Sequence, residues 1–430
     1  MHENQQTMRQ TDKEWEAEQR AFFTHTLPCG LRIICSQCPT QVVYCGLAVD
    51  AGTRDEADSE SGMAHFTEHM SFKGTPRLSS RQVSARMESV GGDLNAYTGK
   101  EETVYYSTFL RQHLGRAVSL LVDMVLHSTF PQEEMTREAE VVAEEIESYN
   151  DQPSELIYDE FEALVFGRHP LGRSILGQTE RLRQLRTADM EAFHRRMYRP
   201  ERMVLFVLGQ VDPRQVVRLA EKAVQDYGLK EATLLPEHRS APTFTLPAQP
   251  VIRRSKDTHQ AHVLIGAPSY AATDPRHTQL FMLSNLLGGP CMSSRLNVAL
   301  RERRGLVYTV ESSAVCYTDT GLWSVYFGCD PRDVKRCLGL VSKELHCLTD
   351  APLSERALEA ARKQLKGQIG VAQDNFESTA IGMGKRFLHY GTTRTVQQTF
   401  RELDSITPLQ LQQTAQEIFT PERLQTLIYE

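Results

Sequence analysis

The chain has 430 residues, of which 40% are apolar and 24% charged, and 48 Lys and Arg stand against 55 Asp and Glu for a net charge of −7. At about 150 residues per domain this implies two or three globular domains, and it excludes wholesale disorder, a collagen-like sequence and a small disulfide-stapled scaffold. No stretch reaches the roughly 18 consecutive apolar residues of a membrane span, and a net negative chain is a poor non-specific binder of nucleic acid, so neither is expected as a partner.

Residues 1–23 read as a polar extension. They carry Glu3, Asp12, Glu14, Glu16 and Glu18, and lack both the apolar core of a signal peptide and the acid-poor character of a transit peptide. Nine cysteines, an odd number, cannot all be paired, and a reducing, cytoplasmic setting is expected. Cys35-Ser-Gln-Cys38 has the spacing of a thiol pair but no second pair to complete a four-thiolate site, and reads as chance at the end of a strand.

Residues 31–35 and 42–49 are predicted strands, followed by a polar loop at 53–61 and a helix from 62 onward. A pair of strands is predicted at 94–97 and 104–110, amphipathic helices at 111–127 and 132–150, a buried strand at 204–208 and a helix at 212–227. Such a mixture predicts an α+β fold in which helices pack on a mainly antiparallel sheet. Residues 229–250 hold Pro236, Pro242, Pro247 and Pro250, without a helical period, and read as a linker. Beyond it the pattern returns at an offset of about 220 residues, longer than a solenoid repeat. The strand at 43–49 with its loop and helix is echoed by 262–265 and a helix at 278–287, and the helix at 136–148 by 355–369. The expectation is two homologous domains, 24–228 and 251–430. Where the first has His65 and His69, the second has apolar residues near 283–287, which fits one active half and one supporting half.

The sharpest local signal is His65-Phe66-Thr67-Glu68-His69. At about 100° per residue, a helix places His65 and His69 about 40° apart on one face, where two neutral imidazoles can share a Zn²⁺ ion. Glu68 falls about 60° to the other side of His65, placed to take a proton from the attacking water and pass it to a leaving amine. H-x-x-E-H is the inverted form of the commoner zinc motif. By contrast, His113, His127, His238 and His346 read as ordinary histidines. A catalytic zinc wants a third protein ligand and an open position, and the helix at 135–149 offers candidates. Its apolar stripe is Met135, Ala139, Val142, Ile146 and Tyr149. Glu140, Glu144 and Glu147 lie roughly 115–175° from that stripe, whereas Glu138 and Glu145 lie roughly 65–85° away, on its buried edge. Periodicity does not choose between these two.

Further runs surround the motif: Ala51-Gly52-Thr53-Arg54-Asp55-Glu56, then Gly62-Met63-Ala64 before it and Met70-Ser71-Phe72-Lys73-Gly74-Thr75 after it. Gly92-Asp93-Leu94-Asn95-Ala96-Tyr97-Thr98, the acidic run from Arg137 to Ile146 and His169-Pro170-Leu171-Gly172 follow. The second half adds Leu287-Gly288-Gly289, Ser294-Arg295-Leu296 and Arg301-Glu302-Arg303-Arg304-Gly305-Leu306-Val307-Tyr308. In this order, and over nearly the whole chain from about residue 24, they resemble the pitrilysin/insulinase family of inverted-motif zinc peptidases, and most of all its short-chain branch that includes the mitochondrial processing peptidase. The resemblance implies two α/β-layer domains that form half of a clamshell chamber. It implies one Zn²⁺ per chain on His65, His69 and Glu145, with Glu68 as general base and Glu138 supporting the ligands from behind. Asn95 and Ala96 match the edge strand to which a peptide substrate adds. Arg301 and Tyr308 match a pair reaching toward the bound peptide, where a phenol or guanidinium stabilises an oxyanion. The expected function is hydrolysis of internal peptide bonds in peptides or unfolded polypeptides by a homodimer or a heterodimer with a related chain. The alternative is a non-catalytic or assembly subunit of a processing-peptidase-like complex. One departure is Pro290-Cys291 after Leu287-Gly288-Gly289, where the family often has a further glycine.

Overall fold

The computed structural model describes residues 22–225, 242, 244, 246, 249–256 and 258–430. Most of the polar extension and of the expected linker, and His238 with it, lie outside the described residues. In chain order the elements are β1 (Phe22–Thr26), β2 (Arg32–Ser36), β3 (Val42–Val49), α1 (Met63–Ser71), α2 (Ser80–Glu88), β4 (Asp93–Thr98), β5 (Thr103–Leu110), α3 (Leu114–Leu126), α4 (Gln132–Asn150), α5 (Pro153–Phe166), α6 (Thr179–Leu182), α7 (Thr187–Met197), β6 (Met203–Leu208) and α8 (Pro213–Gln225). They continue as β7 (Val251–Arg254), β8 (Ala261–Ser269), α9 (Arg276–Gly288), β9 (Val307–Cys316), β10 (Gly321–Cys329), α10 (Val334–Asp350), α11 (Glu355–Ala372), α12 (Phe376–Tyr390), α13 (Val396–Ser405), α14 (Pro408–Ile418) and β11 (Gln425–Tyr429). No helix among the described residues is long and apolar enough to cross a membrane.

The first sheet has the order β1-β2-β6-β3-β5-β4. Only β2 and β6 run parallel; the other neighbours are antiparallel. Its central strand β6, Met-Val-Leu-Phe-Val-Leu, is buried at all six positions, the signature of a strand covered on both faces. Side chains alternate between those faces. Ala48, Tyr97, Val104, Tyr106 and Phe206 point toward Ala380, Met383 and Phe387 of α12. Tyr105, one residue on from Val104, points the other way and meets Ser71 of α1 at 3.1 Å. The second sheet has the order β7-β11-β8-β10-β9, with β7 parallel to β11 and the rest antiparallel. With β2, β6, β3, β5 and β4 laid against β7, β11, β8, β10 and β9, the two orders are the same, and β1 is an additional edge strand. The echo at 43–49 and 262–265 is therefore one matched pair of strands in a duplicated α/β layer. In the second sheet Val263, Ile265, Trp323 and Val325 face a core with α9, α10, α11 and α14, while Leu264, Leu322 and Tyr326 face Ile157, Phe161 and Phe166 of α5.

Tertiary contacts divide the chain into two compact units. One holds the described residues up to 144, those from 175 and residues 373–395, and the other holds Glu145–Ser174, the described residues from 242 to 372, and Val396–Glu430. The linear halves 24–228 and 251–430 do not coincide with these units. Helix α5, from the first half of the sequence, covers the second sheet, and α12, from the second half, covers the first. Helical periodicity shows which face of a helix is apolar but not which sheet it will meet. Helix α12 seats closely on its sheet at Gly384, where a Cβ would lie 2.4 Å from the Phe206 ring. Its C-terminal carbonyls, Phe387 and Leu388, accept hydrogen bonds from Arg32 Nη1 at 3.1 and 3.0 Å, a cation placed at the negative end of the helix dipole.

Candidate metal centre

Helix α1 carries the H-x-x-E-H run, and the segment before it holds that helix in place. Glu56 accepts hydrogen bonds from the Gly62 amide at 3.1 Å and the Ala64 amide at 2.8 Å, so a buried carboxylate caps the positive end of α1. Upstream, Gly52 lies against the turn between β4 and β5. A Cβ there would sit 2.4 Å from the Lys100 carbonyl oxygen, so only glycine fits. The Arg54 amide donates to that carbonyl at 2.8 Å, and the Arg54 guanidinium forms a buried ion pair with Glu101 at 2.6 Å. From below, Ser71 Oγ meets Tyr105 Oη at 3.1 Å, and Tyr105 meets Tyr198 at 3.0 Å. The run 51–56 is thus a hub that ties the zinc-motif helix to the end of β4.

On α1, His65 and Glu68 are buried and His69 is partly exposed. The imidazoles of His65 and His69 are 4.6 Å apart between centroids. Burial, and the nearby His69, push the His65 pKa down to about 3, so its ring is neutral, the form that ligates metal. His65, His69 and Glu145 each offer a ligand atom, and these atoms lie within 4.8 Å of one another. Among the described residues no other group of three such side chains comes together. Two imidazoles and a carboxylate are the donor set of a catalytic zinc with room for a further ligand.

Helix α4 supplies both carboxylates that the helical phase left undecided. Glu138 is buried and accepts from His69 Nδ1 at 2.9 Å. Its other oxygen is paired with Lys73. Burial raises the Glu138 pKa, but the hydrogen bonds from His69 and Lys73 outweigh it and hold the carboxyl ionised. Its geometry fixes the ring of His69 and leaves Nε2 as the nitrogen available to a metal. Glu145 differs from the expectation of a buried edge: it is exposed. The buried positions of α4 end at Ala143, so Glu145 stands two turns beyond Glu138, where the helix has left the packed core. The centre is open on that side.

Two further pairs of residues are singled out by the resemblance, one in each unit. Strand β4 is an edge of its sheet, paired with β5 through Asn95↔Tyr106 and Ala96↔Tyr105, with Asn95 exposed; no described strand covers its other side, whose backbone groups can template an added strand. At the end of the same strand Thr98 Oγ1 donates to Glu68 Oε2 at 2.6 Å. Sequence reasoning gave Thr98 no role, although its place two residues after Ala96 puts both on one face. In the second unit, Arg301 lies on a short π-helical turn, Asn297–Glu302, with its guanidinium 5.5 Å from the Tyr308 ring centroid. Tyr308 is 79% exposed on the edge strand β9. Both line a cleft of about 370 Å³ with Gly288, Gly289, Pro290 and Glu311. The thiol of Cys35 is pushed by burial up to about 12, the reverse of an activated cysteine.

Two family models match the chain in succession. Residues 32–179 match the insulinase (peptidase family M16) domain, and residues 184–365 match the peptidase M16 inactive domain. The chain is 33% identical over 91% of its length to an uncharacterized zinc protease of Mycobacterium leprae, covering 88% of that protein. It is 32% identical over 94% of its length to the uncharacterized zinc protease YmxG of Bacillus subtilis, covering 97%. The beta subunit of the mitochondrial-processing peptidase of Blastocladiella emersonii is 30% identical over 91% of this chain and 84% of its own. Among solved structures, a protease from Helicobacter pylori superposes with a TM-score of 0.86 at 22% identity, over 95% of this chain and 99% of that one. The M16 inactive domain from Pseudomonas fluorescens superposes at 0.84 and 17%, over 95% and 97%. The fold is therefore that of M16 peptidases, and with relatives this similar across nearly its whole length the chain belongs to peptidase family M16, the insulinase family.

Proposed function

We propose that this chain is a zinc-dependent metalloendopeptidase acting on peptides or unfolded polypeptides. The observation that carries the reading is the completeness of the site: His65, His69 and Glu145 gathered within 4.8 Å, with Glu68 on the same helix. Zn²⁺ held there would act as a Lewis acid, making a water more acidic and a carbonyl more electrophilic. The chain's own residues do the rest. Glu138 orients His69. Glu68, anchored by Thr98, takes the proton of the attacking water and delivers it to the leaving amine. Strand β4 holds the substrate backbone by main-chain hydrogen bonds, which admits many sequences. Arg301 and Tyr308 supply donors for a developing oxyanion in a dimer, homomeric or with a related chain, where they serve the partner's centre.

The second reading, a non-catalytic or assembly subunit, draws on the inactive-domain match and neighbour. That match spans 184–365, and the residues of the metal-type cluster fall in the segment matched to the peptidase domain, which favours catalysis. A mixed peptide library incubated with the purified protein, with and without a zinc chelator, tests it. Chelator-sensitive internal cuts are expected in the mass spectra; an identical peptide pattern with and without protein contradicts the proposal.

A further inference from the structure

Strand β4 presents opposite faces to two different parts of the protein. On one face Thr98 holds Glu68. On the other, its neighbour Tyr97 packs with α12, its ring 5.7 Å from Lys385 Nζ. The turn that follows β4 is fixed by the same helix. Glu102 pairs with Lys385 Nζ at 2.5 Å and accepts from His389 Nε2 at 3.0 Å, and His389 Nδ1 lies 3.7 Å from Asp50 at the end of β3. The Gly99 amide donates to the Glu102 carbonyl at 2.7 Å, which ties the turn to the strand. Burial pushes the Glu102 carboxyl up, but the hydrogen bond from His389 and the charge of Lys385 bring it down to about 2, so a charged cluster persists in the interior. Such a cluster requires all its partners in register.

We propose that Lys385 and Glu102 are positioning residues for the hydrolysis inferred above: they pin the β4–β5 turn from the face opposite the metal centre, so that Thr98 keeps its hydroxyl on Glu68. The inference rests on the peptidase reading for its kinetic consequence but not for its structural one. Helix α12 also contacts β5 far from this turn, through Glu377, which accepts from Thr108 Oγ1 at 3.1 Å. Glu377→Gln therefore perturbs the seating of the same helix without touching the turn.

The test compares Lys385→Met, Lys385→Arg, Glu102→Gln and Glu377→Gln by hydrogen exchange and by kinetics. In Lys385→Met and Glu102→Gln, amides of residues 93–102 are expected to exchange faster while those of α1 do not, Lys385→Arg restoring part of the protection, and Glu377→Gln leaves this segment unchanged. Unaltered exchange of 93–102 in folded Lys385→Met overturns the proposal whether or not the protein cleaves peptides. In kinetics, Lys385→Met is expected to lower kcat by about ten- to a hundredfold, and to add nothing to the loss caused by Thr98→Val, because both act through one hydroxyl. Additive losses in the double variant overturn it. Absence of cleavage by the wild type overturns the peptidase reading alone.

Discussion

The two sheets have the same strand order, and the comparison between them separates what the fold requires from what the chemistry requires. Each has a helix after its β3-type strand, α1 in the first and α9 in the second. Helix α1 buries His65 and Glu68 alongside Met63, Phe66 and Met70, whereas α9 buries Leu280, Met282, Leu283 and Leu287 in the second core. Each sheet also ends in an edge strand, β4 or β9, and β4 brings the Thr98 hydroxyl to the carboxylate of Glu68 on α1. The layer is thus a scaffold that serves equally well with or without a metal set, and function lies in the residues placed on it.

Substitutions in the two layers test that contrast. Glu68→Gln is expected to give the largest effect, a fall in kcat of about 10²–10⁴-fold with zinc still bound, read from peptide cleavage and metal analysis on the same sample. Glu145→Gln should lower zinc occupancy at micromolar zinc by removing the anionic ligand; unchanged stoichiometry would refute its place in the donor set. Leu283→Ala on α9 should destabilise the protein by about 2–5 kcal/mol, seen in denaturant unfolding, and leave zinc stoichiometry untouched. Gly384→Ala forces a methyl toward Phe206 and should cost about 1–3 kcal/mol, lowering Tm. Smallest is a pH effect. The folded-state pKa of Glu102, about 2, lies below its ordinary carboxylate value. Its contribution, about 2 kcal/mol with Lys385 partly exposed, is therefore full above that ordinary value and fades as pH falls toward 2. Stability of the wild type and Glu102→Gln should accordingly converge on acidification, with Lys385, His389, Asp50 and Tyr97 the groups facing that carboxylate; a difference that stays constant from pH 7 to 3 would contradict the assignment.

Much of this was legible in the sequence, for identifiable reasons. The strand at 42–49 and the helix at 132–150 fall at the predicted bounds, the strand as a nearly continuous buried apolar run and the helix through its amphipathic period. The pairing of His65 with His69 follows from the helical step alone. Helical phase also singled out Glu138 and Glu145 among five glutamates, but it could not tell that α4 leaves the core after Ala143, which makes one of them buried and the other exposed. The exchange of α5 and α12 between sheets was out of reach, since an amphipathic helix carries no label for its partner. The roles of Glu56, Arg54 with Glu101, Thr98 and Glu102 were out of reach as well. Apart from the local Glu56 cap, each depends on a contact between segments distant in sequence, where a single charged or hydroxyl residue looks like any solvated one. The proline-rich segment at 229–250 suggests a division into consecutive halves; the contacts instead cross it twice.

On the proposed reading, one zinc at His65, His69 and Glu145 would make this chain a peptidase. The most direct measurement is to strip the protein with a chelator, remove the chelator, and titrate zinc back while following cleavage of an unstructured peptide. Activity should vanish on stripping and return linearly until one zinc per chain is bound. Cleavage that survives stripping, or that fails to return with one bound zinc per chain, would contradict it.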